Sequence, residues 1–475
     1  MMKAFILLSA VMILSAPLKA CVSTTKSDDL FTAELKKQLY NKDQNIRQAL
    51  HYPQSAMRFY RLNNHTPVWL TANGQNTAAQ AMLLLDCVLE YGLSPKDYHP
   101  KELTYTLLEA LAAKPDTLSL AAKVRFEVML TDAMMTIVNN LHFGKLNPDY
   151  GSTRVDEAMN MPFHADVVLA NALASSNFQN VILSVQPHAK AYADLQYWMH
   201  LWKGTYTGDC YDTPDTDVRK VAINMERLRW AAINDSIEYV HINIPSYNLI
   251  FHLPDTDYNF KVIVGKPSTP TPTLLSEISY FTTAPDWVVP AKVFTDDLLP
   301  KAIADPAYLR QNKFGIYDRY GLVTGIDKRT LAEIQTDPAG YYAKQSAGCD
   351  NVLGNLVFHF QNIFNIYLHD ATAQQLFDSK QRDLNHGCIS LQNSSQLAQL
   401  LLVSDGSAGC LPVFKKKLSK QRTQNFILKH PVPLKITYLT SLIKDGYLVR
   451  YEDIYHLDNA LMALLYDDTR LLTFN

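Results

Sequence analysis

Apolar positions in the first part of the chain recur at helical spacing. From Asp28 to about Trp202 the pattern predicts mostly helix. Thr77 to Tyr91 (TAAQAMLLLDCVLEY) is rich in helix formers and runs into Gly92, a residue suited to ending a helix. Leu118 to His142 carries a second, longer run of the same period. Lys203 to Asp217 (KGTYTGDCYDTPDTD) gathers Gly, Asp, Thr and Pro and reads as a linker or surface excursion. One more helix is predicted from about Val218 to Ala232.

Beyond it the period switches to two. Val240, Ile242 and Ile244 alternate, Pro245 and Ser246 supply a turn, and Tyr247, Leu249, Phe251 and Leu253 alternate again as the return strand of a hairpin. Phe260, Val262 and Val264 continue the sheet to Gly265. From Pro290 to Gly348 the alternation is lost over a length unusual for a plain loop, as in functional lids. It resumes at Leu356, Phe358 and Phe360 and again over Asn365 to His369, where Tyr367 and His369 share a face and the histidine ends the strand. Ile389 and Leu391 predict a short strand. Ser394 or Ser395 can cap a helix whose Leu397, Leu400 and Leu401 face the core. Pro431 to Tyr455 reads as short strands before a last helix near Leu457 to Leu465. The whole predicts an α+β protein, helical first and β-rich after.

A length of 475 residues implies more than one domain, and 47% hydrophobic with 19% charged residues is a globular composition. A net charge of −2 argues against a nucleic-acid partner, because no excess of Lys and Arg exists to displace phosphate counterions. Lys3, the apolar run Ala4 to Ala16 and then Pro17 to Cys21 read as an export signal over residues 1–20, too short to span a bilayer. Leu18, Ala20 and Cys21 resemble a lipobox, with Lys19 an unusual occupant, so a lipid anchor at Cys21 and simple cleavage both stay open. Outside the cytoplasm thiols tend to be oxidised. Cys87, Cys210, Cys349 and Cys410 allow three full pairings, with bridges or buried thiols as the expectation.

The chemistry concentrates between Ile366 and Asn393. His369 and Cys388, the latter in an HGC triplet, stand nineteen positions apart. Cysteine attacks as thiolate and an imidazole can take its proton, so the two side chains are the minimal equipment for acyl transfer. Gly387 permits a tight turn that exposes the sulfur and can aim amide groups at a developing oxyanion. An arbitrary cysteine is more often simply buried. Here the flanking His-Gly and the upstream histidine favour the nucleophile. His386, two positions before the sulfur on the same turn, is less free to approach it and is assigned a supporting place. A zinc site of His369, His386 and Cys388 is the rival from another class, but Asp370 would point to the opposite strand face and no fourth ligand is evident.

These residues resemble the L,D-transpeptidase family, whose YkuD-type catalytic domain carries a histidine, a spacer and a [Ser/Thr]-His-Gly-Cys signature. The equivalents are His369 and Asn385-His386-Gly387-Cys388. The similarity extends to YRLNNHTPVWLTANG (Tyr60 to Gly74), YGLSPKDYH (Tyr91 to His99), LHFGKLNPDY (Leu141 to Tyr150), MERLRW (Met225 to Trp230), VIVGKPSTPTPTLLSEISY (Val262 to Tyr280), DNVLG (Asp350 to Gly354) and ITYLT (Ile436 to Thr440). Those segments look like the large periplasmic members, which place a helical scaffold before the catalytic domain and a capping insertion within it.

The resemblance implies a scaffold over residues 21–205, a catalytic domain over 206–410 with a cap at about 290–348, and a C-terminal extension over 411–475 packing on both. It implies Cys388 as nucleophile, His369 as base, and Tyr367, Gly387, His386 and Ser390 as site-shaping neighbours. The implied partners are peptidoglycan stem peptides, a donor tetrapeptide and an acceptor amine, in the periplasm or envelope of a Gram-negative bacterium. No cofactor is implied. Three departures stand out: Asn385 replaces Ser or Thr, Ser390 stands where Arg or Asn is usual, and Gly151 to Thr216 lacks a recognisable peptidoglycan-binding module. On the same chemistry a stem-peptide hydrolase or amidase remains a rival, and an inactive wall-binding scaffold is a third reading.

Overall fold

The computed structural model describes residues 26–40, 45–71, 74–113, 115–203, 216–231, 237–348 and 351–467. The expected leader, Cys21, Cys210, Cys349 and most of the expected linker lie outside those residues. Among the described residues no helix is long and apolar enough to cross a membrane.

Helices make up the first part, arranged around the Leu120–His142 helix, in which every residue from Phe126 to Leu141 is buried. A helix buried on all sides must be enclosed by others, and its polar residues must find partners inside. Glu127 accepts the Val68 and Trp69 amides, and burial pushes its carboxyl up to about 7. Asp132 accepts the His51 and Tyr52 amides and His99 Nε2 at 2.7 Å. The helix expected over Thr77 to Tyr91 is split: an α-helix runs Gly74–Asp86, then a 3-10 turn Val88–Tyr91 ends at Gly92, whose φ of +67° suits glycine.

The Thr216–Ala231 helix joins this scaffold to the rest. Toward the scaffold, Glu226 accepts the Leu146 amide at 2.6 Å, while Arg229 bonds Glu226, Tyr192 and the Tyr91 carbonyl. Gly144 leaves no room for a side chain there, since a Cβ would lie 2.7 Å from Glu226 Oε1. On another face, Asn224 bonds Thr440 and Ser441, and Arg227 meets Asp458 at 2.6 Å.

The strands follow in chain order: β1 (Tyr239–Asn243), β2 (Asn248–Leu253), β3 (Thr256–Gly265), β4 (Leu274–Thr283), β5 (Trp287–Val288), β6 (Phe314–Asp318), β7 (Tyr341–Gln345), β8 (Leu356–Phe360), β9 (Leu368–Asp370), β10 (Asp383–Asn385), β11 (Ile389–Leu391), β12 (Gln424–Thr437), β13 (Ser441–Lys444) and β14 (Tyr447–Arg450). Nine of them form one sheet in the order β10-β3-β11-β9-β8-β4-β12-β1-β2, and an additional β2–β3 pairing closes it into a barrel-like ring. Val240, Ile242, Leu249, Phe251, Phe281, Phe358, Leu368, Ile389 and Leu434 fill it, and Leu397 and Leu401 of the Ser394–Ser404 helix pack against it.

Four expectations need correction. Pro290 to Gly348 is no open excursion: β5, β7 and β6 form a separate three-stranded sheet with short helices around a core including Val289, Phe294, Leu298, Ile316, Leu331 and Ala343. Its strands are too short and widely spaced for their alternation to stand out. Residues after 410 are not an appendage on a finished domain, because β12 lies between β4 and β1 in the main sheet. Two prolines hide that long strand from a periodicity reading. The register jumps between the pairs Ile427 with Tyr280 and Val432 with Ile278, and this bulge takes up Pro431. Neither serine caps the Ser394–Ser404 helix: the residue at its N-terminal cap position is Asn393, at φ +55° and without a side-chain capping bond, and Ser394 turns its hydroxyl to Asp370. Lastly, β9 begins only at Leu368, because Asn365 adopts φ +54° in a turn, and His369 sits mid-strand instead of at a strand end.

Arg229 and Glu226 are both fully buried. Replacing Arg229 with Ala leaves the carboxylate inside without its counter-charge, and the expected loss of stability is about 3–5 kcal/mol. Urea or thermal unfolding measures it; a loss under about 1 kcal/mol would show that this pair does not hold the junction.

Candidate active site

The parallel pairing of β11 with β9 matches Ile389 with Leu368, Ser390 with His369 and Leu391 with Asp370. Ile389 N donates to Tyr367 O at 2.8 Å, so Cys388 stands beside Tyr367, one residue before the ladder begins. In-register residues of a parallel pair point to the same face. Leu368, Ile389 and Leu391 point into the barrel core. His369 and its ladder partner Ser390 therefore share the other face, while Cys388, one residue before the ladder, lies beside Tyr367 and packs against the edge of the barrel core.

His369 is buried, and its Nδ1 bonds the Asp370 carbonyl at 2.7 Å. That contact makes Nδ1 the protonated nitrogen and leaves Nε2 with the lone pair. Burial lowers the imidazole below its ordinary value, although the Asp370 carbonyl opposes the shift. The half-buried Cys388 thiol is pushed up by burial, opposed by a hydrogen bond with the Tyr367 backbone. Both shifts favour the uncharged forms, so the resting pair is a thiol and a neutral imidazole. Burial, then the neighbouring Cys388, raise the Tyr367 phenol.

Asp370 points away from this face, as strand alternation requires. Its Oδ1 accepts from Ser394 Oγ at 2.8 Å and its Oδ2 from Asn355 N at 3.0 Å. Gly354, at φ +64°, has no space for a Cβ, which would lie 2.7 Å from Asp370 Cβ. The neck of the cap is thus fastened one residue from His369.

The HGC turn crosses the end of β3. Asp383 and Asn385 pair with Val264 and Gly265 in parallel, while Ser390 and Leu391 pair with Ile263 and Val262 in the antiparallel sense. Gly387 has φ +104°, and a Cβ on Gly265 would lie 3.0 Å from the Gly387 Cα, so close crossing needs glycine at both positions. Asn385 Nδ2 lies within hydrogen-bonding distance of Ser390 Oγ (2.9 Å), Cys388 O (3.0 Å) and Ile263 O (3.2 Å). The two motif positions that depart from the family pattern therefore touch each other. Through these contacts Asn385 ties both ends of the turn to β3.

His386 is exposed and meets Lys266 Nζ at 3.3 Å. Among the described residues, the ligand atoms of His369, His386 and Cys388 are not brought within the 4.8 Å that groups His51, His99 and Asp132, so the zinc reading loses its geometry. In the latter three, Asp132 already accepts two backbone amides and His99. Cys410 is exposed and unbridged, which removes the expected full pairings of four cysteines.

Sequence reasoning missed Thr271 and Tyr455. Thr271 Oγ1 donates to Gly387 O at 2.9 Å, and Tyr455 OH donates to Gly265 O at 2.6 Å. Thr271 lay inside a family-like segment, but no local signal marks Tyr455.

With the imidazole lowered and the thiol raised, the neutral pair persists over a wider pH range than free side chains would give. The acid limb of kcat/KM is expected below the ordinary histidine value of about 6.5, and the pH midpoint of Cys388 alkylation above the ordinary thiol value of about 8.5. A pH–rate profile and iodoacetamide kinetics check both; an alkylation midpoint near neutrality would mean a preformed ion pair instead.

A model of the L,D-transpeptidase catalytic domain, YkuD, matches residues 237–414. A scaffold-domain model matches residues 54–199. A protein of Haemophilus influenzae described as "Putative L,D-transpeptidase" is 34% identical over 245 residues, which cover 51% of this chain and 49% of the relative. The chain thus spans about half the length of the curated relative it matches. These likenesses give the chain an L,D-transpeptidase catalytic domain of the YkuD type over residues 237–414, behind a helical scaffold domain over residues 54–199.

Proposed function

We propose that the protein forms 3-3 cross-links in peptidoglycan through a Cys388 acyl-enzyme, in the periplasm or envelope after export, with Cys21 as the lipid-anchor candidate. The observation that carries the reading is the β9–β11 register, which sets His369 with Nδ1 occupied and Nε2 free beside the turn bearing Cys388. As the sulfur attacks the carbonyl between the third stem residue, typically meso-diaminopimelate, and the terminal D-Ala, its proton passes to His369 Nε2. A carbon–sulfur bond forms and the carbonyl π electrons move to oxygen. Backbone N–H groups of the HGC turn stabilise that oxyanion. Its collapse breaks the C–N bond, His369 returns the proton to the departing D-Ala amine, and a thioester remains.

In the second half, the side-chain amine of a neighbouring stem attacks the thioester and His369 takes its proton. Thiol is regenerated and an amide joins two third residues. Water in place of the amine would release a tripeptide. The segment leading out of the cap is tied to Asp370 through Asn355, next to His369, and a cap closing over the thioester would favour the amine over water.

Incubating the purified protein with defined tetrapeptide muropeptides and identifying products by mass spectrometry tests the reading. Dimers with 3-3 linkage that vanish in Cys388→Ala are expected, with a loss on the order of 10³-fold or more. Tripeptide monomers alone would make the protein a hydrolase, and retained wall binding without product would make it a scaffold only.

A further inference from the structure

We propose that Thr271 and Tyr455 are positioning residues that orient the Gly387–Cys388 peptide so that its N–H faces the oxyanion formed on Cys388. The proposal rests on the acyl-transfer reading above and adds two residues outside the motif, one of them, Tyr455, outside the matched catalytic region as well.

The need for such a device follows from the turn. Gly387 sits at φ +104°, and nothing approaches its Cβ position closer than Ile366 at 3.7 Å. Glycine also accepts a wide range of ψ, so packing alone does not stop the Gly387–Cys388 peptide from turning about ψ of Gly387 and φ of Cys388. In a planar trans peptide the carbonyl and the next N–H point in opposite directions, and the structure holds no cis bonds among the described residues. Whatever fixes Gly387 O therefore fixes the Cys388 N–H. The group that fixes it is the Thr271 hydroxyl, at 2.9 Å.

Two hydroxyls and one glycine complete the device, and the proton of each hydroxyl has a defined direction. Gly265 N donates to Thr271 Oγ1 at 2.8 Å, so the Thr271 proton is left for Gly387 O. Thr271 N donates to Tyr455 OH at 3.1 Å, so the phenol proton goes to Gly265 O. Both polar backbone groups of Gly265 are held, and Gly265 is the residue over which Gly387 crosses. Thr271 is buried, and its β-branch stiffens χ1.

Tyr455 lies beyond the matched region 237–414. Its backbone N donates to Tyr438 OH at 2.8 Å, the two rings stack at 5.4 Å, and the Arg227 guanidinium covers Tyr438 at 5.0 Å. The phenol is thus held from the helix that joins the scaffold to the barrel, independently of the motif it serves.

The test uses the full chain with Thr271→Val, Thr271→Ser, Tyr455→Phe and Cys388→Ala. Four quantities are read: kcat and KM on a tetrapeptide muropeptide, the rate of Cys388 alkylation by iodoacetamide, and the thermal midpoint. Alkylation displaces iodide at a saturated carbon and forms no oxyanion, so it reports the thiol without the N–H. Thr271→Val is expected to lower kcat by about 10²-fold or more, with KM and alkylation within about twofold. Tyr455→Phe is expected to lower kcat by about tenfold, and Thr271→Ser to recover most of the loss. The proposal is overturned if the Val and Phe variants keep kcat within about twofold, or if kcat, alkylation and thermal midpoint fall together, which is what mere loss of structure would give. Turnover surviving in Cys388→Ala would instead overturn the acyl-transfer reading itself.

Discussion

The shape of the site depends on one strand with too many neighbours. β3 pairs with β2 along its first half to close the barrel, with β11 near its end, and with β10 at its last residues. Because β10 and β11 meet β3 in opposite senses, the chain between them must reverse over the strand's end within three residues. That is where His386, Gly387 and Cys388 lie. A reversal so tight over another backbone excludes a Cβ on Gly265 and a negative-φ residue at 387, so the glycines are consequences of the barrel's closure. The same pairing sets β11 beside β9 in the register that matches Ser390 with His369 and puts Cys388 one residue before that ladder.

Burial then decides the electrical state of the pair. An imidazole enclosed on β9 resists protonation, and a half-buried thiol resists ionisation. With Nδ1 tied to the Asp370 carbonyl, the ring has one tautomer and one free nitrogen. In the proposed reaction, proton transfer to that nitrogen would accompany attack by the sulfur. An uncharged thiol is also less open to oxidation than a persistent thiolate.

The helical part and the C-terminal part are structurally continuous with the catalytic barrel. β12 is a central strand of it, and the Thr216–Ala231 helix carries the buried Glu226–Arg229 pair toward the scaffold and Asn224 and Arg227 toward the segment after β12. The matched region 237–414 on its own lacks β12, so it would leave β4 and β1 with exposed edges. The position of Tyr455 behind the HGC turn belongs to the same continuity.

The sequence by itself determined a good deal: helical then β-rich organisation, the first strands to within a residue or two, and the histidine and cysteine on which the proposed chemistry rests. Those features are local, since period two or 3.6, a glycine after a helix and an HGC triplet are read from neighbours in the chain. The cap's own sheet, the long proline-interrupted strand β12, and the contact between Asn385 and Ser390 were decided only by tertiary structure. Each depends on partners far away in sequence, as with Gln424 to Thr437 against Leu274 to Thr283. Tyr455 is the clearest case. Nothing near it in the chain distinguishes it from the other tyrosines, and its place beside Gly265 and Thr271 follows from how the last segment folds back across the barrel.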